Sequence, residues 1–308
     1  MLVTNAGVWA KATPEETAKA DALYEEGMLL FEIGDAVQAR ERFESAIDLD
    51  DRHAKSYVGM GHVFLAEENL KDAEKAFKKA LSKQKRFAPA YNGLGLVYRE
   101  QKNELRKAIA YFRDANRADK TYSQAQYNLA QTLQRFGDSE TLKEYREVLE
   151  IDDAHPDASY QIGLMLEDDR IYEEAIQNYR HQIKVNPDHF GAQLHLGITL
   201  RLTDETDEAL IVLGRVGSTD NPYQRAAVLE LAQVFQKRRQ YDESEELFAS
   251  YIGKLDEKGQ GPYYDLSLLA TGKVLEPFNA ASFQEKKKIM DDFWLRRDPA
   301  PVSIANER

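Results

Sequence analysis

A period of 34 residues is the feature that most limits how this chain can fold. A small residue recurs at this spacing seven times, at Gly27, Gly61, Gly95, Ala130, Gly163, Gly197 and Ala232. A second series of small residues, from Ala39 to Ser244, keeps the same spacing, and each member precedes a large residue by four positions. These large residues are Phe43, Phe77, Phe112, Tyr145, Tyr179, Leu213 and Phe248. Because the three series stay in phase, the sequence predicts seven copies of one structural unit.

The spacing within each copy predicts two antiparallel helices. Residues four apart, such as Ala39 and Phe43, lie on the same face of a helix. Two helices approach closely only where side chains are small, and the large residue then fills the space between successive pairs. No stretch of alternating apolar residues demands a strand, so the predicted fold class is all-α.

This pattern resembles the tetratricopeptide repeat family, whose helix–turn–helix unit has small residues near positions 8 and 20 and an aromatic residue near position 24. The best-matching unit places Tyr57, Gly61, Ala73, Phe77 and Ala80 on the pattern. The resemblance implies a right-handed superhelical solenoid whose concave face is lined by the first helix of each unit. The predicted units are about 20–53, 54–87, 88–122, 123–155, 156–189, 190–224 and 225–257.

Two segments flank the predicted repeats. Residues 1–19 are expected to form an N-terminal arm and the start of the first helix. That helix is expected to begin after Thr13, because Thr13 and Glu16 have the spacing of a capping box and Pro14 suits the first helical position. Residues 258–308 are expected to form C-terminal capping helices and the start of a candidate further domain.

The end of the chain carries a second resemblance. Residues 293–308 resemble the opening of the GWxTD domain of bacterial repeat proteins, although the motif that names that domain is absent. The matching residues are Phe293, Trp294, Arg296, Arg297, Asp298, Pro299, Pro301, Asn306 and Glu307. The resemblance implies that the chain is the repeat half of a longer protein, and it favours an envelope location.

Composition excludes several classes of protein. With 43% hydrophobic and 31% charged residues, the chain is too apolar for a disordered segment and too charged for a membrane-embedded one. Its net charge of −12 disfavours nonspecific nucleic-acid binding, which depends on Lys and Arg. No secretion signal and no apolar run of transmembrane length is visible. The compartment therefore stays open between the cytoplasm and, if a signal was removed, the periplasm or envelope.

A search for chemistry gives no catalytic, cofactor or metal site. The chain has no phosphate loop, no zinc-protease helix, no nucleophile elbow and no cysteine. His181, His189 and His195 lack the spacing of metal ligands, so they are interpreted as solvated loop residues. The chain is therefore predicted not to be an enzyme.

The concave face is the surface on which a ligand is expected. Positions 5, 9 and 12 of each unit are predicted to face it, and Arg135 lies one position further, where it and Arg99 would bind an acidic group. An alternative is left open, in which several of these residues pack between helices. The candidate residues are Tyr24, Met28, Phe31, His62, Leu65, Asn92, Arg99, Tyr127, Gln131, Arg135, Tyr160, Leu164, Ile198 and Arg201.

Two functions from different classes remain. The first is a non-catalytic scaffold that binds a protein segment or helix on the concave face, or that associates with copies of itself. An apolar and aromatic groove suits such a partner. The alternative is a substrate-presenting or assembly arm of a longer, GWxTD-like envelope protein with a separate C-terminal domain.

Overall fold

A computed structural model of the chain describes residues 12–101, 104–260 and 275–295. The chain divides into two compact units, Met1–Ala158 and Ser159–Arg308. All regular elements in the described residues are helices, and no strand occurs there. The predicted all-α fold is confirmed. The N-terminal arm before residue 12 and the GWxTD-like segment after residue 295 lie outside the described residues, so both stay predictions.

Unit 1 consists of consecutive antiparallel helices joined by short turns. Each helix from α1 to α7 contacts the next one along the chain. Their bounds are α1 Pro14–Glu32, α2 Ala36–Leu49, α3 Ala54–Ala66, α4 Leu70–Lys83, α5 Ala88–Glu100, α6 Leu105–Ala118, α7 Ser123–Phe136 and α8 Thr141–Ile151. The predicted capping box is confirmed at the start of α1, where the Glu16 carboxylate accepts from the Thr13 backbone N–H at 2.7 Å.

Unit 2 continues the same alternation. From α10 to α14, each helix contacts the next along the chain. The bounds are α9 Ala158–Asp168, α10 Tyr172–Val185, α11 Phe190–Leu202, α12 Thr206–Ser218, α13 Gln224–Lys237, α14 Tyr241–Gly253, α15 Glu257–Gln260, α16 Leu275–Ala280 and α17 Phe283–Leu295. Helix α9 starts at the last residue of unit 1. The division into seven repeats with the boundaries given above stays a prediction.

In several pairs the large residue packs into a space left by glycines. Phe77 of α4 is fully buried. A Cβ atom on Gly61 of α3 would lie 2.5 Å from a carbon of its ring, and Gly93 of α5 approaches the same ring from the next pair. Phe43 lies in the same way between Gly27 and Gly59. The glycines are needed here because any side chain would collide with the ring.

Two helical glycines should respond to alanine in opposite ways. Gly61→Ala should lower the free energy of unfolding by about 1–3 kcal/mol, because the added methyl overlaps the Phe77 ring. Gly214→Ala should raise it by about 0.5–1 kcal/mol, because Gly214 lies inside α12 with nothing within 4 Å of the added carbon. Urea unfolding of both variants measures the two changes. Stabilisation at Gly61 would contradict the close packing.

Candidate functional site

The odd-numbered helices form one layer of unit 1. α1 contacts α3, α3 contacts α5 and α5 contacts α7, in addition to their even-numbered neighbours. The side of these four helices that carries the predicted groove residues is called the inner face of unit 1. Its predicted residues are Tyr24, Met28, Phe31, His62, Leu65, Asn92, Arg99, Tyr127, Gln131 and Arg135.

A polar network joins α5 and α7 on the inner face. The Asn128 Nδ2 donates to Asn92 Oδ1 at 2.8 Å, and both side chains are buried. Arg99 Nη1 donates to Asn128 Oδ1 at 3.4 Å and to Gln131 Oε1 at 3.3 Å. Arg135 Nη1 donates to the Arg99 carbonyl oxygen at 3.3 Å. The structure therefore brings Asn92, Arg99, Gln131 and Arg135 together.

Tyr127 extends this network towards the end of unit 1. Its hydroxyl accepts from Gln131 Nε2 at 3.0 Å and donates to the Asp157 carboxylate. Its ring centroid lies 4.4 Å from that of His155. Burial raises the pKa of the Tyr127 hydroxyl, and its hydrogen bond to Asp157 raises it further. Tyr127 therefore acts as a neutral donor that connects Gln131 to a carboxylate.

The predicted residues of α1 and α3 pack between helices. Tyr24, Met28 and Phe31 are half-buried against the cluster around Phe43. Leu65 packs in the same way on the cluster around Phe77. These four therefore fit the alternative of packing residues, and they form the apolar part of the inner face.

His62 is also a packing residue. Its ring meets the Phe77 ring edge-on, with the centroids 5.4 Å apart. Burial lowers the pKa of the His62 imidazole to about 4. The side chain is therefore neutral near pH 7 and presents no charge to a ligand.

In unit 2, the predicted residues lie on α9 and α11. Tyr160 of α9 contacts His189 and His195, with centroid distances of 4.6 Å and 5.9 Å. Leu164 and Ile198 are half-buried. This part of the chain presents aromatic and aliphatic side chains.

A carboxylate is enclosed beside these rings. Glu167 Oε2 accepts from the Tyr179 hydroxyl at 2.6 Å and lies 3.0 Å from His195 Nδ1. Burial pushes the pKa of Glu167 up, but hydrogen bonds from His195 and Tyr179 outweigh it and hold that pKa below its ordinary value. The carboxylate is therefore satisfied within the fold.

Arg201 of α11 differs from Arg99, although both occupy the twelfth position of a predicted unit. Its Nε and Nη2 atoms each lie 2.9 Å from Glu230 Oε2 of α13. This charge-assisted pair satisfies the guanidinium within the fold. The Arg201 guanidinium is consequently already paired with a carboxylate, whereas the Arg99 guanidinium donates to the side-chain amide oxygens of Asn128 and Gln131.

The prediction that three histidines are solvated loop residues is wrong for His181 and His195, and His189 lies in the predicted turn but is half-buried. His181 lies inside α10 with Nδ1 2.8 Å from Ser159 Oγ, and His195 lies inside α11. His189 caps α11, and its Nδ1 accepts from the Ala192 N–H at 3.0 Å. The repeat places each ring against a neighbouring helix or turn, and this makes it part of the packing.

Three residues of these networks were missed by the sequence prediction. Asn128 lies one position after the predicted Tyr127, so the uncertainty of one position in the face assignment is enough to lose it. Asp157 lies in the turn before α9 and Glu230 lies on α13, at positions outside the three chosen for the groove. In each case, the signal that could have identified the residue is a polar side chain at a position that packs inward.

Two further features are absent from the described residues. No three His, Asp or Glu side chains are grouped closely enough to hold a metal ion there. Among the helices of that same part of the chain, none combines the length and apolarity needed to cross a membrane.

Comparison with known proteins gives matches to one family. Residues 24–92, 58–123 and 156–189 match family models described as tetratricopeptide repeat. No curated protein matches the chain.

Solved structures share its fold. That of pilF from Pseudomonas aeruginosa is similar over 77% of this chain and 99% of its own, with 21% identity and a TM-score of 0.57. PilW, described as a widely conserved type IV pilus biogenesis factor, is similar over 68% of this chain and 98% of its own, with 15% identity and a TM-score of 0.56. At these identities the likeness concerns the fold alone.

The family matches agree with the helix pairs and the glycine-packed rings described above. Proteins of this family serve in general as scaffolds for protein–protein interaction. Residues 24–123 and 156–189 are therefore tetratricopeptide repeats, within an all-helical chain of consecutive helix pairs.

Proposed function

We propose that the inner face of unit 1 binds a protein segment at the polar network around Arg99. The observation that carries this proposal is the loose hold on the Arg99 guanidinium, whose side chain is 22% exposed. Its hydrogen bonds to Asn128 and Gln131 measure 3.4 Å and 3.3 Å, and its Nε lies 3.5 Å from Glu100 Oε1. N–H···O bonds are commonly about 2.9–3.0 Å long. A carbonyl or carboxylate oxygen of a ligand would therefore give Arg99 shorter bonds than it has.

The amides beside Arg99 suit the backbone of such a segment. Asn92 lies on α5 and Asn128 and Gln131 lie on α7, and each side-chain amide carries both a donor and an acceptor. An extended segment presents N–H and C=O groups of the same kind. Asn92 and Asn128 are buried and hold each other, so we propose that the half-buried Gln131 pairs with the backbone of the ligand and that Arg99 fixes one acidic or carbonyl group.

The apolar side chains of α1 and α3 supply the rest of the proposed surface. Tyr24, Met28, Phe31 and Leu65 are half-buried, so part of each remains accessible to a ligand. Aromatic and methionine side chains adapt to varied apolar partners. The ligand that fits best is a segment whose apolar residues contact α1 and α3 and whose acceptor group binds Arg99.

Selection of peptides tests this function. A display library of random peptides would be selected on the full chain, and the recovered peptides would be measured against Arg99→Ala by fluorescence anisotropy. We expect their affinity to fall about tenfold, because a hydrogen bond to a charged group contributes about 1.5–3 kcal/mol.

Arg201→Ala is the matched control, because Arg201 is an inward arginine that is already paired with Glu230. We expect the same peptides to bind this variant within about twofold of the unaltered chain. Circular dichroism would show that both variants keep their helices. Peptides that bind Arg99→Ala as tightly as the unaltered chain would contradict the proposal.

A further inference from the structure

Positive charge is concentrated in one segment of an acidic chain. Residues 70–120 contain 14 Lys and Arg against six Asp and Glu, a net charge of +8, whereas the whole chain has −12. The remaining residues therefore carry −20. This segment comprises α4, α5 and α6 with their turns. A charge separation of this size creates a local positive field that the net charge conceals.

The cations lie on the outer helices. All nine Lys and Arg of α4 and α6 are exposed except Lys83, which is half-buried. Several pair with carboxylates on their own helix, such as Lys75 with Asp72 at 2.8 Å and Lys107 with Glu104 at 2.9 Å. The segment has too few carboxylates to neutralise its cations, so a positive surplus remains on α4 and α6.

An apolar cleft opens beside these lysines. It lies between α2 and α4, has α3 as its floor and encloses about 360 Å³. Ile47, Met60 and Phe64 supply apolar surface, and Lys75 and Lys79 of α4 stand along one edge. The cleft is large enough for one large apolar side chain of a partner.

The corresponding space between α4 and α6 is filled by the chain itself. Tyr98 of α5 stacks on Tyr111 of α6 with their centroids 5.2 Å apart, and its hydroxyl donates to Glu74 Oε1 at 2.8 Å. Phe64 is the equivalent of Tyr98 one repeat earlier, and it lines the open cleft. The space is therefore open between α2 and α4 and filled between α4 and α6; a smaller cleft of the same kind, about 240 Å³, opens between α10 and α12.

The α4 edge of the cleft carries a positive surplus. Lys75 and Lys79 line it together with one carboxylate, Asp72, which pairs with Lys75 at 2.8 Å. On the α2 side, the guanidinium carbon of Arg40 lies 5.2 Å from the centroid of the Phe64 ring, and Arg40 pairs with Glu67. An acidic ligand would lie with its carboxylates towards α4, where Lys79 adds its charge to that of Lys75.

We propose that this cleft and the lysines of α4 bind an acidic protein segment that carries an apolar anchor. A leucine or aromatic side chain of the segment enters the cleft, and flanking carboxylates lie along Lys75 and Lys79. The apolar floor favours a protein over a nucleic acid, because a polynucleotide offers the lysines its phosphates but has no aliphatic side chain for the cleft. The surface is separate from the Arg99 network, because none of the residues that line the cleft belongs to that network.

Synthetic peptides test the chemistry of the ligand on the full chain. One peptide of about 15 residues would place leucine at helical spacing among glutamates, and a second would carry alanine in place of leucine. We expect the leucine peptide to bind about tenfold more tightly, because its anchor buries apolar surface in the cleft. Binding should weaken as salt rises from about 50 to about 500 mM, because exposed charges are screened. Equal affinities for the two peptides would overturn the proposal.

Charge reversal tests the position of the site. Lys75→Glu with Lys79→Glu should weaken binding of the leucine peptide by about tenfold or more. Lys19→Glu with Lys143→Glu makes the same change in net charge at exposed lysines of α1 and α8, and it should leave the affinity within about twofold. Equal losses in the two double variants would overturn the proposal. So would a single-stranded DNA of about 15 nucleotides, or vesicles containing phosphatidylserine, that bound more tightly than the leucine peptide.

Discussion

Replacing Phe77 by alanine should lower the free energy of unfolding by about 3–5 kcal/mol, among the largest losses that a single core substitution causes. The ring is fully buried between Gly61 and Gly93. Neither glycine has a side chain that could move into the space left by the ring, so the cavity cannot be filled locally. Urea unfolding followed by circular dichroism measures the loss.

Phe136→Ala is the matched control for Phe77→Ala. Phe136 is the last residue of α7 and its side chain is 44% exposed. Its removal should change the free energy of unfolding by less than about 1 kcal/mol, because little buried surface is lost. Equal losses in the two variants would show that the Phe77 ring is not enclosed as described.

Acid should destabilise the protein through His62. Burial lowers its pKa from 6.5 to about 4 in the folded chain. The unfolded chain takes up a proton near pH 6.5 and the folded chain does so only near pH 4. The contribution of the neutral ring is therefore fully present above about pH 6.5 and is lost as the pH falls to about 4, which costs about 2–3 kcal/mol. Urea unfolding of the chain and of His62→Gln at several pH values measures this difference.

A second histidine gives a graded comparison. Burial also lowers the pKa of His155, but the carboxylates of Asp152 and Asp157 partly offset it. His155→Gln should remove a smaller part of the acid sensitivity than His62→Gln, in the same direction. If His62→Gln and the unaltered chain lost stability in parallel between about pH 6.5 and about pH 4, His62 would be protonated in the folded chain.

The sequence predicts the packing inside a repeat because the pattern is local. Gly61 and Phe77 are 16 positions apart and recur with the same spacing in other repeats, so their sizes reveal that they meet. The structure confirms the contact at Gly61, and it adds that Gly93 of the next pair meets the same ring. The all-α fold follows from the same regularity, because each pair of helices repeats one packing solution.

The candidate site is predicted less well, because its polar contacts depend on partners in other repeats. Arg99 and Arg201 occupy the same position of their units, and the sequence treats them alike. The structure pairs Arg201 with Glu230, 29 residues away, and leaves Arg99 among amide oxygens. The identity of a side chain does not reveal which neighbour satisfies it.

The outer surface is also predicted only in part from the sequence. The lysines of α4 are visible in the sequence, but the overall acidity hides them in any count over the whole chain. The cleft beside them exists because α2 and α4 flank an open space above Phe64, whereas Tyr98 and Tyr111 fill the equivalent space one repeat later. A change of one aromatic residue between repeats is too small a signal to predict an open cleft.

The sequence by itself determined the helices, their pairing and the buried rings, because helix periodicity and the fit of small against large residues act within about one repeat length. Tertiary structure alone decided that Arg99 is loosely held, that Arg201 is neutralised and that His62 packs edge-on against Phe77. The physical reason is that burial and electrostatic pairing depend on distances between groups from different helices, and these distances are set only when the repeats pack.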